Sequence, residues 1–136
     1  MKVRSVLAVA GSMAAAAAVF TAAPAGASPA AAPSGCEKGD VCFYTGSNYS
    51  GSMCAWDVAD TDTTSGSISC SWMSNGTKPK SVYNNGTSAD GSTGVAYYWK
   101  TNYKGGRIGC TKNGSGGNIS GDYVPMSLKW VSNKCG

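Results

Sequence analysis

Val41-Cys42-Phe43-Tyr44-Thr45-Gly46-Ser47-Asn48-Tyr49-Ser50-Gly51 is answered, later in the chain and without a gap, by Val95-Ala96-Tyr97-Tyr98-Trp99-Lys100-Thr101-Asn102-Tyr103-Lys104-Gly105. The opening Val, the second aromatic, the Asn, the Tyr and the closing Gly are identical, and Phe43 faces Tyr97. The later halves also correspond, Lys80-Ser81-Val82 to Met126-Ser127-Leu128. One supersecondary unit of roughly 45 residues is therefore used twice, as motif one over 41–86 and motif two over 94–132. Neither copy can bury its apolar face alone, so the two are expected to pack together.

Short β-rich segments surround this repeat: Val41–Thr45, Ser52–Trp56, Ser67–Trp72, Lys80–Asn84, Gly94–Trp99, Gly106–Thr111 and Ser127–Ser132. Leu128 and Trp130 alternate with Lys129, and Ile68, Cys70 and Trp72 alternate with Ser69 and Ser71. Between the segments stand turn formers that tolerate positive φ: Asn84-Asn85-Gly86, Asp90-Gly91 and Asn113-Gly114. No helical period follows Ala27. Many short strands between regular turns predict an all-β sandwich or barrel.

The first residues read as an address. Lys2 and Arg4 precede the alanine-rich apolar run Val6 to Phe20, and Ala25-Gly26-Ala27 offers a small-x-small cleavage site. That order is a secretory signal peptide over 1–27. The run is too short and too poor in large side chains for a stable membrane anchor. Cleavage after Ala27 would leave a loose arm over 28–35 and one domain over 36–136. It would also remove Lys2 and Arg4 from a formal charge of +4. The remaining cations are scattered, which argues against a nucleic-acid partner. The expected product is a secreted, extracellular monomer.

Cys36, Cys42, Cys54, Cys70, Cys110 and Cys135 all lie in the domain. An even count in an exported chain implies three disulfides. Spacing alone leaves the connectivity open, and Cys36–Cys42, Cys54–Cys70 and Cys110–Cys135 is the preferred pairing. A zinc site is a poor reading, because there is no CxxC pair and no His.

Tyr44-xxxx-Tyr49-x-Gly51 and Tyr98-xxxx-Tyr103-x-Gly105 resemble the βγ-crystallin Greek-key signature. In that pattern the aromatics close a folded hairpin, the Gly takes a conformation that a Cβ hinders, and a later Ser, here Ser81 or Ser127, binds back to the hairpin. The resemblance implies a βγ-crystallin-like sandwich of two Greek-key motifs. Gly51 to Ser81 is longer than Gly105 to Ser127, which implies an insertion around Asp57–Gly66. The opening Cys36-Glu37-Lys38-Gly39-Asp40-Val41-Cys42, followed by such a hairpin, is similar to the secreted streptomycete metalloproteinase-inhibitor family. That likeness runs from Cys36 to about Val131. It implies a protease as partner.

The chemistry begins with absences. Without His there is no Ser-His-Asp triad or Cys-His dyad. Disulfides consume the thiols, and the seven carboxylates, Glu37, Asp40, Asp57, Asp60, Asp62, Asp90 and Asp122, stand mostly in turn-like settings. No catalytic residue is assigned and no enzyme is expected. Crystallin-type calcium sites would fall on Asp122–Ser127 and Gly76–Ser81. The first keeps one acid and carries Met126 in the hydroxyl position, and the second has Lys80, which repels the cation. No metal or cofactor is expected. Trp56, Trp72, Trp99 and Trp130 could form a sugar-stacking face, but alternate-position aromatics more often pack the core. Three functions follow: a proteinase inhibitor acting by a rigid loop, an antimicrobial or killer-toxin-like domain, and a carbohydrate-binding envelope protein. The loops to examine are Asp57–Gly66 and Lys112–Gly121.

Overall fold

The computed structural model describes residues 31–88 and 90–136. The expected signal peptide and the first residues of the arm lie outside them. Seven strands form two antiparallel sheets: β1 Val41–Tyr44, β2 Met53–Trp56, β3 Ser81–Asn84, β4 Gly94–Tyr98, β5 Arg107–Thr111, β6 Ser115–Asn118 and β7 Ser127–Val131. The first sheet runs β2-β1-β3-β6 and the second β5-β4-β7. Each motif's last strand pairs with its first, β3 with β1 and β7 with β4. The third strand of motif two, β6, crosses to pair with β3 of motif one. Asp60 answers it as an isolated bridge to Leu128 of β7. This exchange is compatible with two intertwined Greek keys, each motif pairing with a strand of the other.

Strand alternation divides β1 between two cores. Val41 and Phe43 face the space between the sheets, where they join Trp56, Val82, Tyr97 and Leu128. Phe43 meets Tyr97 edge-on at 5.2 Å between ring centroids, a contact between equivalent positions of the two motifs. Cys42 and Tyr44 face the other way, into a smaller cluster with Cys36 and Tyr83 that Ala32 and Met53 cover. Both faces of β1 are thus buried, and its residues are continuously apolar as a result.

The three disulfides are Cys36–Cys42, Cys54–Cys70 and Cys110–Cys135. The second closes a loop worth about 3 kcal/mol in the chain-entropy picture.

The structure corrects three readings. Ser67–Trp72 is not a strand: after Cys70 the chain makes one helical turn, α1, Ser71–Ser74. Cys70 and Met73 are both buried, and their i, i+3 spacing puts them on one side of a helical turn. The disulfide from Cys70 to Cys54 holds that side inward. The second correction concerns β6, whose Ser-Gly-Gly-Asn sequence lies inside the expected loop Lys112–Gly121 and carries no strand propensity. Its pairing comes from tertiary contact alone. A Cβ on Gly116 would lie 2.5 Å from the Val82 carbonyl oxygen and 2.9 Å from the Tyr49 hydroxyl, so the close approach to β3 admits only glycine. The extra length of motif one also lies further on than expected. The path from Asp60 to Val82 is much longer than the equivalent path from Gly117 to Leu128. α1 occupies that interval.

The two hairpin tips are closed alike. Tyr49 N–H donates to Ser81 Oγ at 2.9 Å, and Ser81 Oγ–H donates to the Gly46 carbonyl at 2.7 Å. Tyr103 N–H donates to Ser127 Oγ at 2.9 Å, and Ser127 Oγ–H to the Lys100 carbonyl at 2.6 Å. These contacts hold Asn48, Tyr49, Asn102 and Tyr103 at φ between 53° and 61°, a region L residues rarely occupy. Gly51 and Gly105 follow at φ 80° and 74°. A Cβ at Gly105 would also sit 2.5 Å from Trp99 Nε1. Gly105→Val is therefore expected to lower stability by about 1–3 kcal/mol. Denaturant unfolding would measure it, and an unchanged midpoint would contradict the strained tip.

Candidate functional site

Two arches carry the chain from one sheet to the other, one in each motif. The first leaves the first sheet at Trp56, the end of β2, and reaches the second at Asp60, whose backbone N–H and C=O each bond Leu128 at 2.9 Å. The second leaves β5 at Thr111 and enters β6 at Ser115. Their crowns are Asp57-Val58-Ala59 and Lys112-Asn113-Gly114.

Both ends of the first arch are fixed. Trp56 is 1% exposed, and its Nε1–H donates to Asp60 Oδ2 at 2.9 Å, spanning the crown. Asp60 Oδ1 accepts the Asp62 N–H at 2.9 Å. Beyond it, the Thr61 carbonyl accepts the Asn102 N–H at 2.8 Å. Thr63 is wholly buried: its hydroxyl donates to the Pro125 carbonyl at 2.5 Å, its N–H to the Met126 carbonyl at 3.1 Å, and its carbonyl accepts the Cys70 N–H at 2.9 Å. The Cys54–Cys70 bridge joins the strand before the arch to the turn after it. A loop so held keeps one shape, and a binding partner need not order it.

The acidic run has a structural task. Asp62 accepts the Thr64 N–H at 3.0 Å, the Thr64 hydroxyl at 2.6 Å and the Ser65 hydroxyl at 2.9 Å. The Thr64 hydroxyl bond is the main cause of a carboxyl pKa below the ordinary value. Asp40 moves upward instead, through burial first and then the charges of Asp57 and Glu37. Among the described residues no group of three His, Cys, Asp or Glu side chains could hold a metal ion. At the positions where crystallin-type calcium sites would fall, Asp122, Lys78 and Lys80 are exposed.

The second arch is also tied down. Gly114 N–H donates to the Asn84 carbonyl at 2.8 Å, and Asn113 N–H to Asn133 Oδ1 at 2.7 Å. The Asn113 amide donates to the Gly86 carbonyl. Behind it, the fully buried Asn84 donates its amide to the Thr93 and Thr111 carbonyls at 2.8 and 2.7 Å, knotting the linker between motifs to β5.

Tyr44, Tyr49, Gly51 and Ser81, with their counterparts Tyr98, Tyr103, Gly105 and Ser127, lie in or behind the hairpin tips. Three large apolar side chains are exposed among the described residues: Val58, Trp99 and Tyr123. Val58 stands on the first crown beside a shallow depression of about 210 Å³. The Trp99 and Tyr123 rings lie 6.1 Å apart, with Lys100 Nζ 4.6 Å above the Trp99 ring. Trp56 is buried, while Trp72 and Trp130 pack against the core. The exposure of Val58 has no signal in the sequence, since a Val two residues after Trp56 reads as the end of a strand.

The model of peptidase inhibitor family I36 matches residues 29–111, well over half of the chain. The chain belongs to this family. Membership makes it a peptidase inhibitor rather than an enzyme. The matched region includes motif one whole and the first hairpin of motif two, and so contains the first arch and the foot of the second. No curated protein and no solved structure matches the chain.

The Asp62 geometry makes a pH prediction. A carboxyl whose pKa is lowered by folding adds stability above its unfolded pKa of about 3.9, and that contribution is lost as pH falls through the folded value. Asp62→Asn is expected to melt below wild type near neutral pH and to converge with it under strong acid. Calorimetry across that range would show it, and a constant gap would contradict the assignment.

Proposed function

We propose that the protein is a secreted inhibitor of metalloproteinases that acts by presenting a rigid surface loop to the protease cleft, with no metal or cofactor of its own. The observation that carries this reading is the pair of anchored inter-sheet arches within a member of a peptidase inhibitor family. An inhibitory segment must enter a cleft extended and survive there. The disulfide at the foot of the first arch and the buried Thr63 behind it resist the opening that cleavage needs. A leader over 1–27 would deliver the chain, as a monomer, to the compartment where its protease works.

The exposed Trp99–Tyr123 pair favours a second reading, a carbohydrate-binding envelope protein, because exposed aromatic rings can stack on sugars. The first reading is tested by titrating the mature protein against thermolysin-like, subtilisin-like and trypsin-like proteases. Stoichiometric loss of thermolysin-like activity is expected. If every protease stays active, or the protein is digested as a substrate, the inhibitor reading fails. Retention on a glycan resin would then favour the second.

A further inference from the structure

We infer that Asn75 is a site of spontaneous covalent modification, at which the Gly76 backbone nitrogen displaces the side-chain amide and the protein ages into a more acidic form. This goes beyond the inhibitor reading and does not depend on it. Asn followed by Gly permits such ring closure, because glycine puts no Cβ in the way of the attacking nitrogen. The chain holds three of these pairs, Asn75-Gly76, Asn85-Gly86 and Asn113-Gly114. The fold treats them differently.

Asn85 is clamped on every side. Its amide donates to the Cys36 carbonyl at 2.9 Å, its N–H donates to the Asp40 carbonyl at 2.8 Å, and its carbonyl accepts the Gly39 N–H at 2.8 Å. Gly86 is buried, and its N–H is held by Asn84 Oδ1 at 2.8 Å. The Asn113 amide is held by the Gly86 carbonyl, and the Gly114 N–H by the Asn84 carbonyl at 2.8 Å. The Asn75 side chain is exposed and, among the described residues, has no partner. Ser74 to Lys78 are all exposed. Gly76 stands at φ 81°, and a Cβ on it would meet nothing within 4 Å, so the approach to its nitrogen is open. The Gly76 N–H bond to the Met73 carbonyl, at 2.9 Å, must open first. It closes the end of α1, a four-residue helix, and helix ends open at little cost.

The step balances with water alone. The Gly76 nitrogen bonds to Asn75 Cγ, the Cγ–Nδ2 bond breaks, and Nδ2 leaves as ammonia with the Gly76 amide proton. Water then opens the cyclic imide. Opening at Cγ gives aspartate. Opening at the original backbone carbonyl gives isoaspartate, which routes the chain through Cγ and lengthens it by a methylene. Either product places a carboxylate on the exposed stretch that carries Lys78 and Lys80.

The test holds the mature, disulfide-bonded protein at mildly alkaline pH and maps its peptides by mass over time, with isoaspartate read separately. A second sample is reduced and unfolded in denaturant. In the native protein, conversion at Asn75 should lead that at Asn85 and Asn113 by about tenfold or more, the protection expected where side-chain amides are held and the backbone is closed. In the unfolded chain the three rates should draw together. Native Asn75→Gln should lose the early acidic form, because the longer side chain must close a larger ring. A native protein in which Asn85 or Asn113 converts first, or all three convert alike, overturns the inference. So does an Asn75 that keeps its amide in the native protein while the unfolded chain converts. A lead that persists undiminished in the unfolded chain belongs to the local sequence and overturns the structural account.

Discussion

The hydroxyls of Ser81 and Ser127 hold each hairpin tip against the strand that closes its own motif. Each accepts a tyrosine amide and donates to a carbonyl at the start of the tip. Two consecutive residues in each tip stand at positive φ, a strain of the order of 1–3 kcal/mol per residue that needs such over-determined contacts. The tips fix where β3 and β7 lie, and those strands are the edges that receive the exchanged segments: β6 on β3, and the Asp60 bridge on β7. The arches exist because the chain must cross between sheets to reach those edges. Their rigidity descends from the two serines.

The arches are quasi-equivalent in path and different in chemistry. In the first an indole and a carboxylate close the loop internally, and an aliphatic side chain is left outside. In the second the polar side chain is spent on the linker. Duplication of a unit supplies two loops at once. The substitutions within each give the two loops different surfaces, and the added interval with α1 and the Cys54–Cys70 bridge stiffens motif one alone.

Much of this architecture is legible in the sequence. The gapless return of Val41–Gly51 at Val95–Gly105, with its Tyr-xxxx-Tyr-x-Gly hairpins, announces two like units in an all-β fold, because the residues that a folded tip needs are few and specific. The preferred cysteine pairing is the observed one. The misread segments are those where tertiary contact overrides local preference. Ile68, Cys70 and Trp72 alternate like a strand, yet the bridge at Cys70 and the burial of Met73 draw that stretch into a helical turn. Ser115-Gly116-Gly117-Asn118 has no strand character, and pairs because β3 offers an edge and glycine fits against it. The arch is the least legible part. What the loop leaves uncovered is set by tertiary packing, and the exposure of a single residue leaves no periodic trace.

A fold-locked arch that inhibits a protease must meet it and survive. The most direct measurement is the fate of the chain after prolonged incubation with an equimolar thermolysin-like metalloproteinase, followed by intact mass. The crown lies between Cys54 and Cys70, which are joined to each other, so one cut there adds a single water and releases nothing. Recovery of the chain at its original mass, or with one water added, is predicted, together with suppressed protease activity. Fragments lost from several sites while the protease stays active would contradict it.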